Sequence, residues 1–254
     1  MVRGIESFKK WFRGYEDQYA IIGGTACDLL MTGEGMDFRT TKDIDLVLIV
    51  EALDVAFGKR FWDYVTAAGY EHRNKGTGEA QFYRFTNPAS SEYPIMIELF
   101  TRRRDVIALP EDAVLTPLPM DDDVSSLSAI LLDDDYYELL KVGRTRIGDV
   151  TVLDVPYLIL FKAKAWLDLS ERKLAGEQVD SKNVRKHKND VLRLTELLDH
   201  EHKPHIIVPK RVLLDITDFI EKMIMEDVDL KQLGIRERSK KDILDEIRDM
   251  YWLE

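Results

Sequence analysis

The chain of 254 residues is poor in cysteine, in long apolar runs and in net positive charge. Its single cysteine, Cys27, excludes an internal disulfide and makes the cytoplasm the default compartment. Purely apolar runs are short, as at Tyr157-Leu158-Ile159-Leu160-Phe161, far below the ~20 residues a membrane helix needs. The first residues, Met1-Val2-Arg3-Gly4-Ile5-Glu6, lack the apolar core of a secretion signal. A net charge of -11 argues against broad, non-specific binding to nucleic acid, which needs a basic face. A local basic pocket stays open, with Arg102-Arg103-Arg104 and the lysines between Lys182 and Lys188 as candidates.

What is present is an ordinary globular composition, 45% hydrophobic and 33% charged, long enough for one large domain or two modest ones. Apolar spacing predicts a first helix over 5–18 and a strand over 19–22. Gly23-Gly24-Thr25 then reads as a turn into a helix, a place where backbone N–H groups suit phosphate; a bare structural turn is the commoner meaning. Further helices are expected over 52–68, ended by Gly69, and over 157–169, 184–198, 212–225 and 241–253. Asp154 suits the N-cap of the second of these, and Pro156 its first turn. Strands are expected over 81–85, 95–100 and 150–153. The pattern is α/β, with an α/β domain over 1–153 carrying a small mixed sheet and a helical domain over 154–254, the cleft between them being the default ligand site.

The chain is organised around Thr40-Thr41-Lys42-Asp43-Ile44-Asp45-Leu46-Val47-Leu48-Ile49, which reads as a buried strand. Asp43 and Asp45 project from one side of it, because side chains alternate along a strand. Two adjacent carboxylates in an apolar strand are costly unless a cation sits between them, and Mg²⁺ is commonly held by one or two carboxylates plus substrate phosphates. Glu98, inside Ile95-Met96-Ile97-Glu98-Leu99-Phe100, is a third such acid. Alone it reads as a partner for Arg84 or Arg102; with the aspartates it completes a cluster for two metal ions. The runs Asp121-Asp122-Asp123 and Asp133-Asp134-Asp135 read instead as solvated or helix-capping acids, since neighbours point apart. Lys162 reads as a snorkelling surface lysine or as a phosphate contact. Lys186 and Asp190, one turn apart, fit a surface ion pair.

The order Gly23-Gly24-Thr25, Arg39-x-Thr41-x-Asp43-Ile44-Asp45 and then Glu98 resembles the nucleotidyltransferase (polymerase-beta-like) superfamily. Within it the chain is similar to the AbiEii/AbiGii toxin family. Lys162 in Leu160-Phe161-Lys162-Ala163-Lys164-Ala165 matches that family's helical lysine motif, and Lys186-His187-Lys188-Asn189-Asp190 its C-terminal motif. His187 stands where the family commonly has Asp. The resemblance covers residues 19–200 and implies transfer of a nucleoside monophosphate from an NTP to an acceptor hydroxyl. It implies tRNA or other RNA, or a protein, as acceptor, and a toxin neutralised by a partner antitoxin. Gly23, Gly24 and Thr25 would contact the triphosphate, with Arg39, Thr41 and Lys42 beside it. Asp43, Asp45 and Glu98 would ligate two Mg²⁺ ions, Glu98 also serving as base. Lys162 would neutralise phosphate, and Lys186 and Asp190 would line the far wall. Two other readings of the same residues are a non-catalytic nucleotide- or partner-binding module and transfer to a small, antibiotic-type molecule.

Overall fold

A computed structural model of the chain describes residues 2–39, 41–77, 80–102, 116–117, 127, 130–199 and 205–253. Thr40, Arg103, Arg104 and the Asp121–Asp123 run lie outside the described residues. The fold is mixed α/β, as its sequence pattern predicts. The chain divides into two compact units, Met1–Met120 with Arg144–Leu153, and Asp121–Gly143 with Asp154–Glu254. The border is thus not a single cut after residue 153. A β-hairpin returns to the sheet after a helix that packs with the later helices, because pairing and helix packing each follow contact rather than chain order.

The first unit is built on one eight-stranded sheet. Its strands are β1 (Tyr19–Ile22), β2 (Asp43–Leu48), β3 (Glu71–Thr77), β4 (Ala80–Thr86), β5 (Met96–Thr101), β6 (Thr116–Pro117), β7 (Arg144–Ile147) and β8 (Val150–Leu153). Their order is β6-β3-β4-β5-β2-β1-β8-β7. β2 runs parallel to β5 and antiparallel to β1, so the strand carrying the aspartates is central and paired on both sides. A central strand has no exposed edge, which fixes its register.

Helices α1 (Ile5–Phe12), α2 (Gly23–Gly33) and α3 (Val55–Ala68) accompany the sheet. Phe8 and Phe12 of α1 and Phe57, Phe61 and Tyr64 of α3 interlock with Tyr19 and Phe85 through edge-on and tilted ring contacts of 4.5–6.0 Å. Rings prefer such geometry over face-to-face stacking. α1 stops at Phe12 rather than running to residue 18, because Arg13 leaves the helical region and Gly14 takes φ 89°. α3 starts at Val55, where Asp54 accepts a hydrogen bond from the Phe57 N–H at 2.7 Å, and ends on left-handed Gly69.

The second unit contains α4 (Asp134–Val142), α5 (Val155–Leu174), α6 (Ser181–Leu194), a 3₁₀ turn (Thr195–Leu197), α7 (Lys210–Met225) and α8 (Lys240–Met250). Asp133 caps α4 and Asp154 caps α5, with Pro156 in the first turn of α5. α5 is buried on most of its circumference, and α6 and α7 pack along it. A helix apolar nearly all round belongs at the centre of a bundle. Among the described residues, no helix is long and apolar enough to cross a membrane.

Candidate functional site

β2 alternates as its sequence demands. Ile44, Leu46 and Leu48 are buried, whereas Asp43 and Asp45 are half-buried on the opposite face. The parallel pairing of β2 with β5 sets Asp45 beside Glu98 and Asp43 beside Met96. Glu98 is therefore on the same face as both aspartates, next to the second. Its carboxyl hydrogen-bonds to that of Asp45. Burial, then the Asp45 charge, hold Glu98 well above the usual carboxylate range, with Arg84 pulling the other way. Two neighbouring carboxyls cannot both ionise cheaply, so a nearby cation favours the ionised pair.

The third member of this network is Arg84, across the β4–β5 pairing from Glu98. Its Nε donates to Glu98 Oε1 at 2.7 Å, and Nη2 lies 2.5 Å from the same oxygen. Of the two partners the sequence offers for Glu98, Arg84 is bonded to it; it forms with Glu98 and Asp45 a continuous row across three strands.

Gly23 and Gly24 do not form a separate turn before a helix. They are the first two residues of α2, and Ile22 at the end of β1 is its N-cap. β1 pairs Ile22 with Asp45, so the helix opens against the carboxylate. A Cβ placed on Gly23 would lie 1.7 Å from Asp45 Oδ2, and its φ of 68° is left-handed, so only glycine suits the position. A Cβ on Gly24 would lie 2.7 Å from Thr41 Oγ1 and 3.3 Å from an Arg39 guanidinium nitrogen. Arg39 and Thr41 are thus placed over the first turn of α2, with the Arg39 guanidinium also 5.1 Å from the Phe38 ring centre. Thr25 is fully buried and its hydroxyl donates to the Asp43 carbonyl, tying α2 to β2. Lys42 is exposed.

The remaining predicted residues lie in the helical unit. Lys162 is neither a snorkelling surface lysine nor an open cation: it is 4% exposed, and its Nζ donates to Asp190 Oδ2 at 2.8 Å. Asp190, 1% exposed, therefore pairs across α5 and α6 with Lys162. Its side chain turns inward from α6, and Lys186, one turn before it, is half-buried. Lys188, in the same basic stretch, donates to Glu226.

The donor chemistry of Asp43 and Asp45 fits Mg²⁺ with substrate phosphates completing its shell. The fit is supported by the shared face of the two acids and by Gly23, whose missing side chain lets the Asp45 carboxylate lie against the start of α2. Among the described residues, no group of three or more His, Cys, Asp or Glu side chains could by itself hold a metal ion. Substrate oxygens would have to complete such a site.

No family model and no curated protein matches the chain. Among solved structures it is similar to an antigenic nucleotidyltransferase-like protein from Paracoccidioides brasiliensis. That match has 16% identity and a TM-score of 0.43, and covers 88% of this chain and 87% of that one. A cytoplasmic RNA terminal U-transferase aligns at 14% identity and a TM-score of 0.27, over 78% of this chain and 47% of that one. Neither likeness is close enough to decide the chemistry, which rests on the residues.

Proposed function

We propose that the protein is a Mg²⁺-dependent nucleotidyltransferase that moves a nucleoside monophosphate from an NTP to an acceptor hydroxyl. The observation that carries this is the register of β2 against β5. It puts three acids on one face of a central sheet, beside a helix whose first residues are glycines. Asp43 and Asp45 would hold the ion, which supplies charge neutralisation at the phosphates. The first turn of α2 presents backbone N–H groups that no intrahelical carbonyl can satisfy, and phosphate oxygens suit them. Arg39 and Thr41 stand over that turn and would orient the triphosphate. The acceptor oxygen bonds to the α-phosphorus, pyrophosphate leaves, and the hydroxyl proton passes to Glu98.

The finer reading follows the resemblance in the residues. The acceptor would be RNA such as tRNA, or a protein hydroxyl, in the cytoplasm, and the protein the toxin of a pair neutralised by an antitoxin. The roles of Lys162, Lys186 and Asp190 in holding nucleotide belong to this reading too. The test is incubation with labelled NTPs, Mg²⁺ and a panel of tRNA, protein and small-molecule acceptors. Label should appear on one acceptor class and vanish with chelator; no transfer to any acceptor would sink the assignment. One observation favours a second reading, a nucleotide-binding module without transfer. Glu98 is already committed to an arginine. Calorimetry distinguishes the two, because NTP binding indifferent to Mg²⁺ supports the module.

A further inference from the structure

α6 and α7 both pack along α5, and a groove of about 820 Å³ runs between them over the buried ring of Trp166. Four side-chain bonds set their levels along α5. Lys173 bonds to Ser181 and Lys162 to Asp190, so α6 runs antiparallel to α5. Lys164 bonds to Asp215 and Lys222 to Glu171, so α7 runs parallel to it. Arg185 lies one turn past Ser181, and Glu221 adjoins Lys222, so the two stand at about the same level on opposite walls of the groove. Both are exposed, and among the described residues neither makes an ion pair. The other charges lining the groove are engaged: Lys222 with Asp218 and Glu171, Lys188 with Glu226, and Lys173 with the Ser181 hydroxyl. Leu174 and Met225, at the rim, are each 86% exposed. An apolar rim around a groove floored by tryptophan has the composition of a protein interface, where aromatic residues and Met are enriched.

One wall offers a cation and the other, at the same level, an acid, so the groove is complementary in charge to itself. We infer that this face of the helical unit is the interface of a homodimer, occupied by the same groove of a second copy of the chain. When two copies meet groove to groove about a two-fold axis running along the groove, α6 of each lies over α7 of the other. Arg185 of each copy then faces Glu221 of the other, and the rims carrying Leu174 and Met225 are covered. An axis running across the groove would set each wall against its own kind, and like charges facing one another are disfavoured. The charges therefore select the axis as well as the partner. The dimer is independent of the nucleotidyl-transfer reading, since none of these residues belongs to the acid row.

Sedimentation equilibrium of the full chain tests this, with circular dichroism to monitor the fold. At micromolar concentrations the wild-type chain should show twice the mass of one chain. Arg185→Glu and Glu221→Lys should each weaken the dimer at least about 10-fold, since two-fold symmetry brings each reversal into the interface twice. The double reversal, Arg185→Glu with Glu221→Lys, should restore it. Both side chains are exposed, so all three variants should fold. A wild-type chain that stays monomeric overturns the inference and leaves the groove to a different occupant, such as a helix of another protein. A dimer indifferent to either single reversal also overturns it, because such a dimer is built on another face. So does a dimer that the double reversal fails to restore, because Arg185 and Glu221 would then not face each other.

Discussion

Two ionic groups, one in each unit, differ in burial and in the signs of charge they gather. In the helical unit, Lys162 and Asp190 form a pair at 2.8 Å with side chains 5% and 2% exposed. In the sheet unit, Asp43, Asp45 and Glu98 share one face with a single arginine bonded to Glu98. Burying charge is costly, and a balanced pair limits that cost internally. Acids gathered side by side repel one another, and a cation among them relieves that repulsion. The deeply buried pair therefore has the character of an internal brace, and the row with its half-exposed aspartates is the better candidate for a binding site. Sequence spacing treats Lys162 and Asp190 as readily as ligands as it does Asp43 and Asp45; burial separates them.

The largest expected effect is on the acid row. Asp45→Asn should lower nucleotidyl transfer by at least about 10³-fold, the several kcal/mol that metal-borne charge stabilisation contributes. It should not lower stability, because it relieves the repulsion that Asp45 exerts on Glu98. Labelled-NTP transfer and thermal melting, run on the same preparation, check both halves. A melting point that falls as far as activity does would make Asp45 a brace, and the contrast between the two groups would collapse.

Next comes the buried pair. Asp190→Leu leaves the Lys162 ammonium buried with its bonded carboxylate gone, which should cost about 3–5 kcal/mol. Replacing both residues, Lys162→Met with Asp190→Leu, should recover most of that loss. Urea denaturation gives the stabilities. The double variant also sharpens the comparison. If it folds and still transfers nucleotide, the pair is a brace only. If it folds and has lost transfer, Lys162 or Asp190 has a role at the nucleotide as well.

Much of the fold is legible in the chain itself, because local rules govern it. β2 and β5 follow from their apolar runs, and α3 and α5 from Asp54, Gly69, Asp154 and Pro156 at their ends. Three features were less so. β3 and β7 carry polar residues at most positions, and only their partners β4 and β8 make them strands. α1 looks longer than it is because Tyr15 continues its spacing past the break at Arg13 and Gly14. The segment Asp133–Gly143 joins the helical unit although it precedes a hairpin of the sheet, which no local pattern announces. At the site, the shared face of Asp43 and Asp45 follows from a period of two. That Glu98 stands beside Asp45, rather than one residue off, depends on register across strands separated by a helix and a hairpin. The fate of Lys162 depends on long-range packing in the same way: its helix is apolar enough to be central, so a surface lysine was the wrong expectation there.

The smallest predicted effect concerns the residue that joins the acid row to the helix. Gly23 has φ 68° and no room for a side chain, since a Cβ would sit 1.7 Å from Asp45 Oδ2. The clash is with a carboxylate on a central strand, so the side chain rather than the backbone must yield. Gly23→Ala should therefore cost about 1–3 kcal/mol from the left-handed backbone, while turning the Asp45 carboxylate from its place. Stability and Mn²⁺ affinity should fall together. Gly33→Ala, at the other end of the same helix, meets nothing within 4 Å and has no positive φ, so it should leave both unchanged. Equal metal affinity in Gly23→Ala and the wild-type chain would mean that the opening of α2 is a tight structural start and not a wall of the site.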